Sequence, residues 1–396
     1  MTGDKPLKIL IAADTYPPDV NGASVFCHRL ATAMAARGHE VHVVAARASK
    51  GPGYVEQRPE ATVHRLASHA VPTHPSYRIV FPWDAARDLA RIIDDVRPDA
   101  VHVQCHYMVG QAAVNQAVKR GIRTIATNHF MPENLDPFLP FPRWFKRIVA
   151  RNSWRDMGKI MGRADVVTTP TPLAARAMKL HARLDEVLPL SNGIDSSHYE
   201  LAPGEEVVKD PWPLVLFVGR LAVEKNVDVL LESLTRMKTE PAPHLEVIGG
   251  GEQRANLERR AAELGIADRV AFRGHVDDDE LRRAYLRADV FCQPGTAELQ
   301  SLVTLEALSA SRPVVLADAM ALPHLVDDGG NGYLFTPGDA EDLAGKIDRV
   351  LAASDEERAA MGEAGHRKAV FHSAEKTMNT FEALYRGATA QDVLGA

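Results

Sequence analysis

The sequence predicts an α/β protein built from two doubly wound, mostly parallel sheets. Short β-branched runs alternate with helix-period stretches along most of the chain, which is the signature of repeated strand–helix–strand units. The alternation pauses once, at Ser191-Asn-Gly-Ile-Asp195 and a polar, Pro-containing stretch from Glu200 to Pro213, and then restarts at Leu214. A length of 396 residues leaves room for two or three domains at roughly 150 residues each. Met1 to Pro6 is short and polar and leads into the apolar segment 8–14, which reads as a buried first strand rather than a signal peptide. Strands are expected at 8–14, 41–45, 100–104, 124–128, 166–169 and 187–190, then at 214–218, 245–248, 270–273, 289–292 and 313–317. This gives an N-terminal Rossmann-like domain over 1–195 and a C-terminal one over 196–373, facing a central cleft. The last helical stretch, 374–396, comes after the second sheet is complete and is expected to pack back on the first domain.

Composition narrows the function classes. The chain is 45% hydrophobic and 25% charged, as in folded soluble proteins, and its formal charge is −6, without a basic tail, so nucleic acid is not an expected partner. Cys27, Cys105 and Cys292 are odd in number, far apart and without CxxC spacing, which points to reduced thiols, a cytoplasmic setting and neither disulfide framework nor zinc site. No run approaches the ~18 apolar residues needed to span a bilayer.

In open parallel sheets ligands sit beyond the carboxyl ends of strands, so the loops there carry the candidates. The first, Asp14-Thr-Tyr16-Pro-Pro-Asp-Val-Asn21-Gly22, ends in a glycine at a helix start, read either as a close backbone approach to a ligand or as a plain turn. Thr127-Asn128-His129 puts a histidine at the rim of the expected cleft, although a lone histidine is more often structural. His102 and His106 flank one strand end but lack a third metal ligand at recognisable spacing. In the second half, Gly219-Arg220 ends a strand and Lys225 follows near a helix start; two cations and a helix terminus suit a diphosphate, against the alternative of a solvated basic corner. Gly249-Gly-Gly251 ends another strand but lacks the full GxGxxG spacing. Glu298 and Glu306 lie eight residues apart across a strand end and a helix start, with Glu298 expected at the helix mouth and Glu306 some two turns within.

Arg220 with Lys225, Glu298-x7-Glu306, Asn192-Gly-Ile-Asp195 and Val247-Ile-Gly-Gly-Gly-Glu252 together resemble the retaining glycosyltransferases of family four, which have the GT-B fold, while Gln300 and Asn128-His-Phe-Met-Pro-Glu133 are similar to what its bacterial glycolipid-synthesising members carry. The resemblance covers nearly the whole chain. It implies a nucleotide-sugar donor, UDP- or GDP-linked, bound mainly by the second domain, an acceptor bound mainly by the first, and no required metal or other cofactor. Arg220 and Lys225 would hold the diphosphate, Glu298 the sugar hydroxyls and Glu306 the ribose, while Gly22 and His129 would stand at the reaction centre. Gly219, Gly249, Leu299, Gln300, Ser301 and Leu302 would complete the donor site, and backbone around Gly274, His275 and Val276 would read the base. Tyr16, Asn21, His106 and Asn128 would join His129 on the acceptor side. The chain departs from the family in reading Asn21-Gly22 where two glycines are usual, and Gln300-Ser301 where Phe-Gly is usual, which leaves the donor sugar open.

The acceptor is addressed by the segment 143–163, which carries seven basic residues and one acid in a chain that is net negative. At 100° per residue Phe141, Trp144, Phe145, Ile148 and Val149 share one face, and Arg143, Lys146, Arg147 and Arg151 the other. Ser153-Trp-Arg-Asp156 has the spacing of a capping box, so a break near Asn152 is expected. Such a cationic helix with aromatics suits an anionic membrane surface, and hence a lipid acceptor and peripheral attachment to the inner face of the membrane. The alternative is that its apolar face packs on the sheet. Transfer to a soluble or polysaccharide acceptor, nucleotide-sugar epimerisation and a silent sensor are the other readings.

Overall fold

The computed structural model describes residues 5–19, 21–71, 74–132, 142–202 and 204–394. The chain divides into two compact units, Met1–Asn192 with Lys376–Ala396, and Gly193–Glu375. The first crossing falls at residue 192–193, three residues before the expected boundary, and the return falls inside the last long helix.

In unit 1 the strands are β1 (Lys8–Ala13), β2 (Glu40–Ala46), β3 (Tyr54–Gln57), β4 (Thr62–Leu66), β5 (His69–Val71), β6 (His74–Ile79), β7 (Ala100–Val103), β8 (Arg123–Thr127), β9 (Val166–Thr169) and β10 (Leu188–Pro189). Eight of them form one sheet in the order β10-β9-β8-β7-β1-β2-β4-β3, parallel except for the edge strand β3. The helices are α1 (Gly22–Ala36), α2 (Pro82–Val96), α3 (Met108–Lys119), α4 (Arg143–Met161) and α5 (Pro172–Ala177). Helices cover both sheet faces, so central strands read as unbroken apolar runs, and Ile9 to Ala13 of β1 are all buried. Asn21 starts α1 by accepting the Ser24 backbone N–H at 2.9 Å.

Unit 2 carries β11 (Leu214–Val218), β12 (His244–Ile248), β13 (Val270–Gly274), β14 (Val290–Gln293), β15 (Val314–Ala317) and β16 (Gly332–Phe335). They form a wholly parallel sheet in the order β13-β12-β11-β14-β15-β16. Around it lie α6 (Val227–Leu234), α7 (Arg254–Glu263), α8 (Asp278–Arg287), α9 (Leu302–Ser309), α10 (Ala340–Ala352) and α11 (Asp355–Val370). The chain then runs through α12 (Ala374–Tyr385) and α13 (Ala390–Leu394). Met378, Phe381, Leu384 and Tyr385 of α12 belong to the apolar core of unit 1, alongside Phe26 and Leu30 of α1.

Two local expectations need correction. Strands β3 to β6 and β16 are absent from the sequence reading. In β4 the alternation is masked by Arg65, which is buried all the same because its guanidinium donates to the carbonyls of Pro17 and Ala46 and to Glu56. The helix expected to break near Asn152 does not: α4 is continuous, with Ser153 in its interior rather than capping a second helix. The helix-propensity cost of Asn152 and Ser153 is at most about 0.7 kcal/mol each, which burial of Trp154, Met157 and Met161 in the following turns outweighs.

Candidate active site at the strand ends

Strand order decides which loops meet. In unit 2 the chain leaves β11 toward β12 on one side and later enters β14 on the other, so the carboxyl ends of β11 and β14 flank the topological switch point, the place where open α/β sheets bind ligands. The loop after β11 carries Gly219, Arg220 and Lys225, and the loop after β14 carries Glu298 to Ser301. The two loops are tied together: the Thr296 N–H donates to the Glu224 carbonyl at 3.1 Å, and Asn226 Nδ2 donates to the Pro294 carbonyl and Thr296 Oγ1, both at 3.3 Å. Asn226 adopts the left-handed region at φ 48°, which turns the chain from a 3₁₀ turn ending at Lys225 into α6.

Lys225 Nζ forms an ion pair with Glu298 Oε1, and both side chains are largely buried. Arg220 pairs with Glu224 and lies 3.9 Å from Glu252. Both cations on the β11 loop are thus held by carboxylates. Neighbouring glycines allow the loops to close up. Gly249 has φ 124° and a Cβ there would overlap the Gly219 carbonyl, so only glycine fits. The Gly219 N–H donates to the Ile248 carbonyl at 2.9 Å and the Gly249 N–H to the Gly274 carbonyl at 2.7 Å, while exposed His275 packs over Gly250 and Val276 lies against the core.

Helix α9 begins at Leu302, capped by Ser301, which places Glu306 little more than one turn inside rather than two. Glu306 is 6% exposed and accepts the Tyr285 hydroxyl at 2.8 Å, so one of its oxygens is engaged within the unit. Leu299 is buried and Gln300 is half-buried on the approach to the helix.

In unit 1 the switch point lies between β1 and β7, with β8 next in line. His129 follows β8: its Nε2 lies 2.8 Å from Gln104 Oε1, and its ring packs on Phe26 at 4.9 Å between centroids. Burial pushes the imidazole pKa down to about 4, so the ring is neutral near pH 7. Gly22 opens α1, and a Cβ added there would meet nothing within 4 Å, so no internal packing demands a glycine. Asn21 is occupied as the α1 cap and also accepts from Thr15 Oγ1 at 3.3 Å.

Other acceptor-side expectations are not met as drawn. Tyr16 is fully buried and donates its hydroxyl to Glu60 at 2.8 Å, so it anchors the first loop instead of reaching outward. Asn128 is buried, and its amide is spent on the local turn, donating to the Phe130 carbonyl at 2.6 Å. His106 is buried against Tyr107, with burial lowering its pKa to about 4. Both His102 nitrogens have protein partners, Tyr385 and Thr127, each at 2.6 Å. Among the described residues no group of three or more His, Cys, Asp or Glu is placed to hold a metal ion.

Each unit's strand-end loops also hold residues the sequence did not single out. Gln104 aligns His129, Glu224 pairs with Arg220, and Asp14 accepts the Val109 N–H at 3.1 Å where α3 begins. Only Asp14 carried a signal, an acid at a strand end; the other two meet partners 25 and 4 residues away through loop geometry.

The two ends of the continuous helix α4 differ in burial. Trp154 lies near His181 at 5.4 Å, and Met157 and Met161 are wholly buried. The first turns are different: Trp144 is 63% exposed and Ile148 38%, with Arg147 and Arg151 exposed and Phe145, Lys146 and Val149 half-buried. Phe141 lies outside the described residues. No described helix is long and apolar enough to cross a membrane.

Comparison with known proteins agrees with this organisation. Residues 20–198 match the family model "Glycosyltransferase Family 4", and residues 201–368 the model "Glycosyl transferases group 1". A GDP-mannose-dependent alpha-mannosyltransferase of Mycobacterium tuberculosis is 26% identical over 341 residues, 85% of each chain. A sulfoquinovosyl transferase of Arabidopsis thaliana is 36% identical over 159 residues, 39% of this chain and 30% of its own. The solved structure of sucrose-phosphate synthase from Thermosynechococcus elongatus superimposes with a TM-score of 0.78 at 19% identity, over 96% of this chain and 98% of that one. Two adjoining family matches spanning nearly the whole chain, on two parallel sheets wound in the same order, make this protein a glycosyltransferase of family 4 type with the GT-B fold.

Proposed function

We propose that the protein transfers a hexosyl group, with retention of anomeric configuration, from a UDP- or GDP-linked sugar to a membrane lipid such as diacylglycerol or a phosphoinositide. The observation that carries the reading is the Lys225–Glu298 ion pair joining the loops after β11 and β14 at the switch point of unit 2, with Arg220 on the same β11 loop paired to Glu224. In the reaction the bond from the anomeric carbon to the diphosphate oxygen breaks, a bond to the acceptor oxygen forms, and the acceptor proton passes to the departing phosphate. The negative charge that develops on that phosphate is what Arg220 and Lys225 neutralise, and charge-assisted contacts of this type contribute about 1.5–3 kcal/mol each. Glu298, released from Lys225, accepts from sugar hydroxyls. No enzymic nucleophile and no metal are required by this scheme.

A lipid acceptor is supported by the first turns of α4, where Trp144 and Ile148 stand in solvent beside Arg147 and Arg151. The GDP-dependent name of the mycobacterial relative keeps both nucleotides in play. The test is to incubate the protein with labelled UDP-glucose, UDP-galactose, UDP-N-acetylglucosamine, UDP-glucuronate or GDP-mannose and anionic lipid vesicles, counting label that enters the organic phase. One donor should label the lipid, and Lys225→Ala and Glu298→Ala should each abolish transfer while remaining folded. Transfer only to water-soluble acceptors would overturn the lipid assignment, and unchanged turnover in either variant would overturn the site.

A further inference from the structure

Helix α12 reaches unit 1 after the whole of unit 2 has intervened, yet two of its side chains lie directly behind the segment that carries His129. Tyr385 places its hydroxyl 2.6 Å from His102 Nδ1. His102 Nε2 is 2.6 Å from Thr127 Oγ1, and Thr127 Oγ1 is 2.6 Å from Thr168 Oγ1. All four side chains are buried. Burial lowers the His102 pKa to about 3, so the ring is neutral, with one nitrogen that accepts and one that donates. Hydrogen bonds thus run without a break from the Tyr385 phenol through both nitrogens of the neutral ring to Thr127 and on to Thr168. Thr127 is the last residue of β8, two before His129.

A second path is apolar. The His129 ring packs on Phe26 at 4.9 Å, Phe26 on Phe381 of α12 at 5.8 Å, and Phe381 on His102 at 4.9 Å. The contacts close a circuit from His129 through Phe26, Phe381 and His102 to Thr127 and back along the chain. Helix α12 is itself pinned from outside the circuit: Arg37 donates to Asn379 at 2.8 Å, and Arg123 Nε donates to the Leu384 carbonyl at 3.1 Å.

We infer that α12 is a positioning element of the acceptor-side site, with Tyr385 and Phe381 setting where β8 ends and so where the His129 imidazole stands. Neither residue touches substrate; each acts through His102, Phe26 and Thr127. A close-packed interior passes such a constraint on because buried side chains have no room to relax. The inference rests on the reading of His129 as part of the acceptor-side reaction centre.

The experiment uses the full chain with Tyr385→Phe, which removes one hydroxyl, and Phe381→Leu, which keeps an apolar side chain of smaller size. Histidine-selective 15N labelling reports the His129 imidazole, assigned against a His129→Asn spectrum, while nucleotide titration and transfer kinetics are measured on the same samples. The expected result is a shifted His129 signal and a transfer rate about tenfold lower in both variants, with nucleotide affinity unchanged. An unmoved His129 signal with wild-type kinetics in both variants overturns the inference. A shifted signal with unaltered transfer upholds the positioning role and overturns the placement of His129 in the reaction centre. If one variant fails to fold, the other alone decides.

Discussion

Asp14→Asn should change how the stability of unit 1 depends on pH. One Asp14 oxygen accepts the Val109 N–H at 3.1 Å, and the other is buried without a hydrogen-bond partner among the described residues. Loss of solvent is the largest influence on this carboxyl and outweighs the Val109 hydrogen bond, raising its pKa from 3.8 to about 6. The folded state therefore binds this proton more tightly than the unfolded chain. The stabilisation is fully present below about pH 4 and is lost as pH rises through about 6. A shift of about two units corresponds to roughly 3 kcal/mol, a ceiling because the residue as a whole keeps some exposure. Asparagine keeps the acceptor for Val109 and cannot ionise, so the stability difference should move in favour of the asparagine variant by about 1.5–3 kcal/mol between pH 4 and 7.5. For a unit of this size that is a change of about 3–12 °C in the melting-temperature difference, read by scanning calorimetry across that range. The comparison cancels every other titrating group. A melting-temperature gap that stays constant from pH 4 to 8 would refute the reasoning.

Three further outcomes follow from packing and charge. Gly249→Ala should weaken nucleotide binding and cost about 2–4 kcal/mol, because the new Cβ meets the Gly219 carbonyl at a positive φ; titration with UDP and GDP alongside a melting curve checks both effects. Gly158→Ala gains helix propensity of about 1 kcal/mol but drives a Cβ into the Ala182 carbonyl behind α4, so the net effect should be destabilisation by about 1–3 kcal/mol, measured by thermal melting. Trp144→Ala combined with Arg147→Glu should reduce sedimentation with anionic vesicles at least tenfold without lowering the melting temperature, since both side chains are exposed; a melting temperature that falls instead would show the apolar face to be a packing surface.

The two-domain reading was legible because parallel sheets covered on both faces write themselves as continuous apolar runs, and unit 2 shows this at Leu214 to Val218, all buried. Edge strands escaped because they answer to one neighbour and to solvent. Tyr54 and Val55 of β3 are exposed, and β4 hides a buried arginine whose backbone partners are the carbonyls of Ala46 on β2 and of Pro17 in the loop after β1. The capping-box spacing at Ser153 misled because a cap is a backbone conformation, and burial of Trp154 and Met157 holds that backbone helical.

On the functional side the sequence by itself determined the chemical inventory: two cations after one strand, two acids after another, a histidine after a third. These are local facts, set by residue type and by the period of the apolar pattern. Tertiary structure alone decided which of them meet. Lys225 and Glu298 are 73 residues apart and pair because β11 and β14 are neighbours at a switch point, an outcome of strand order. Tyr16 and Asn128 turned inward because a buried hydroxyl or amide must find a partner, and Glu60 and the Phe130 carbonyl supply it. Tyr385, 283 residues from His102, lies against it because the chain comes back to complete the core it began.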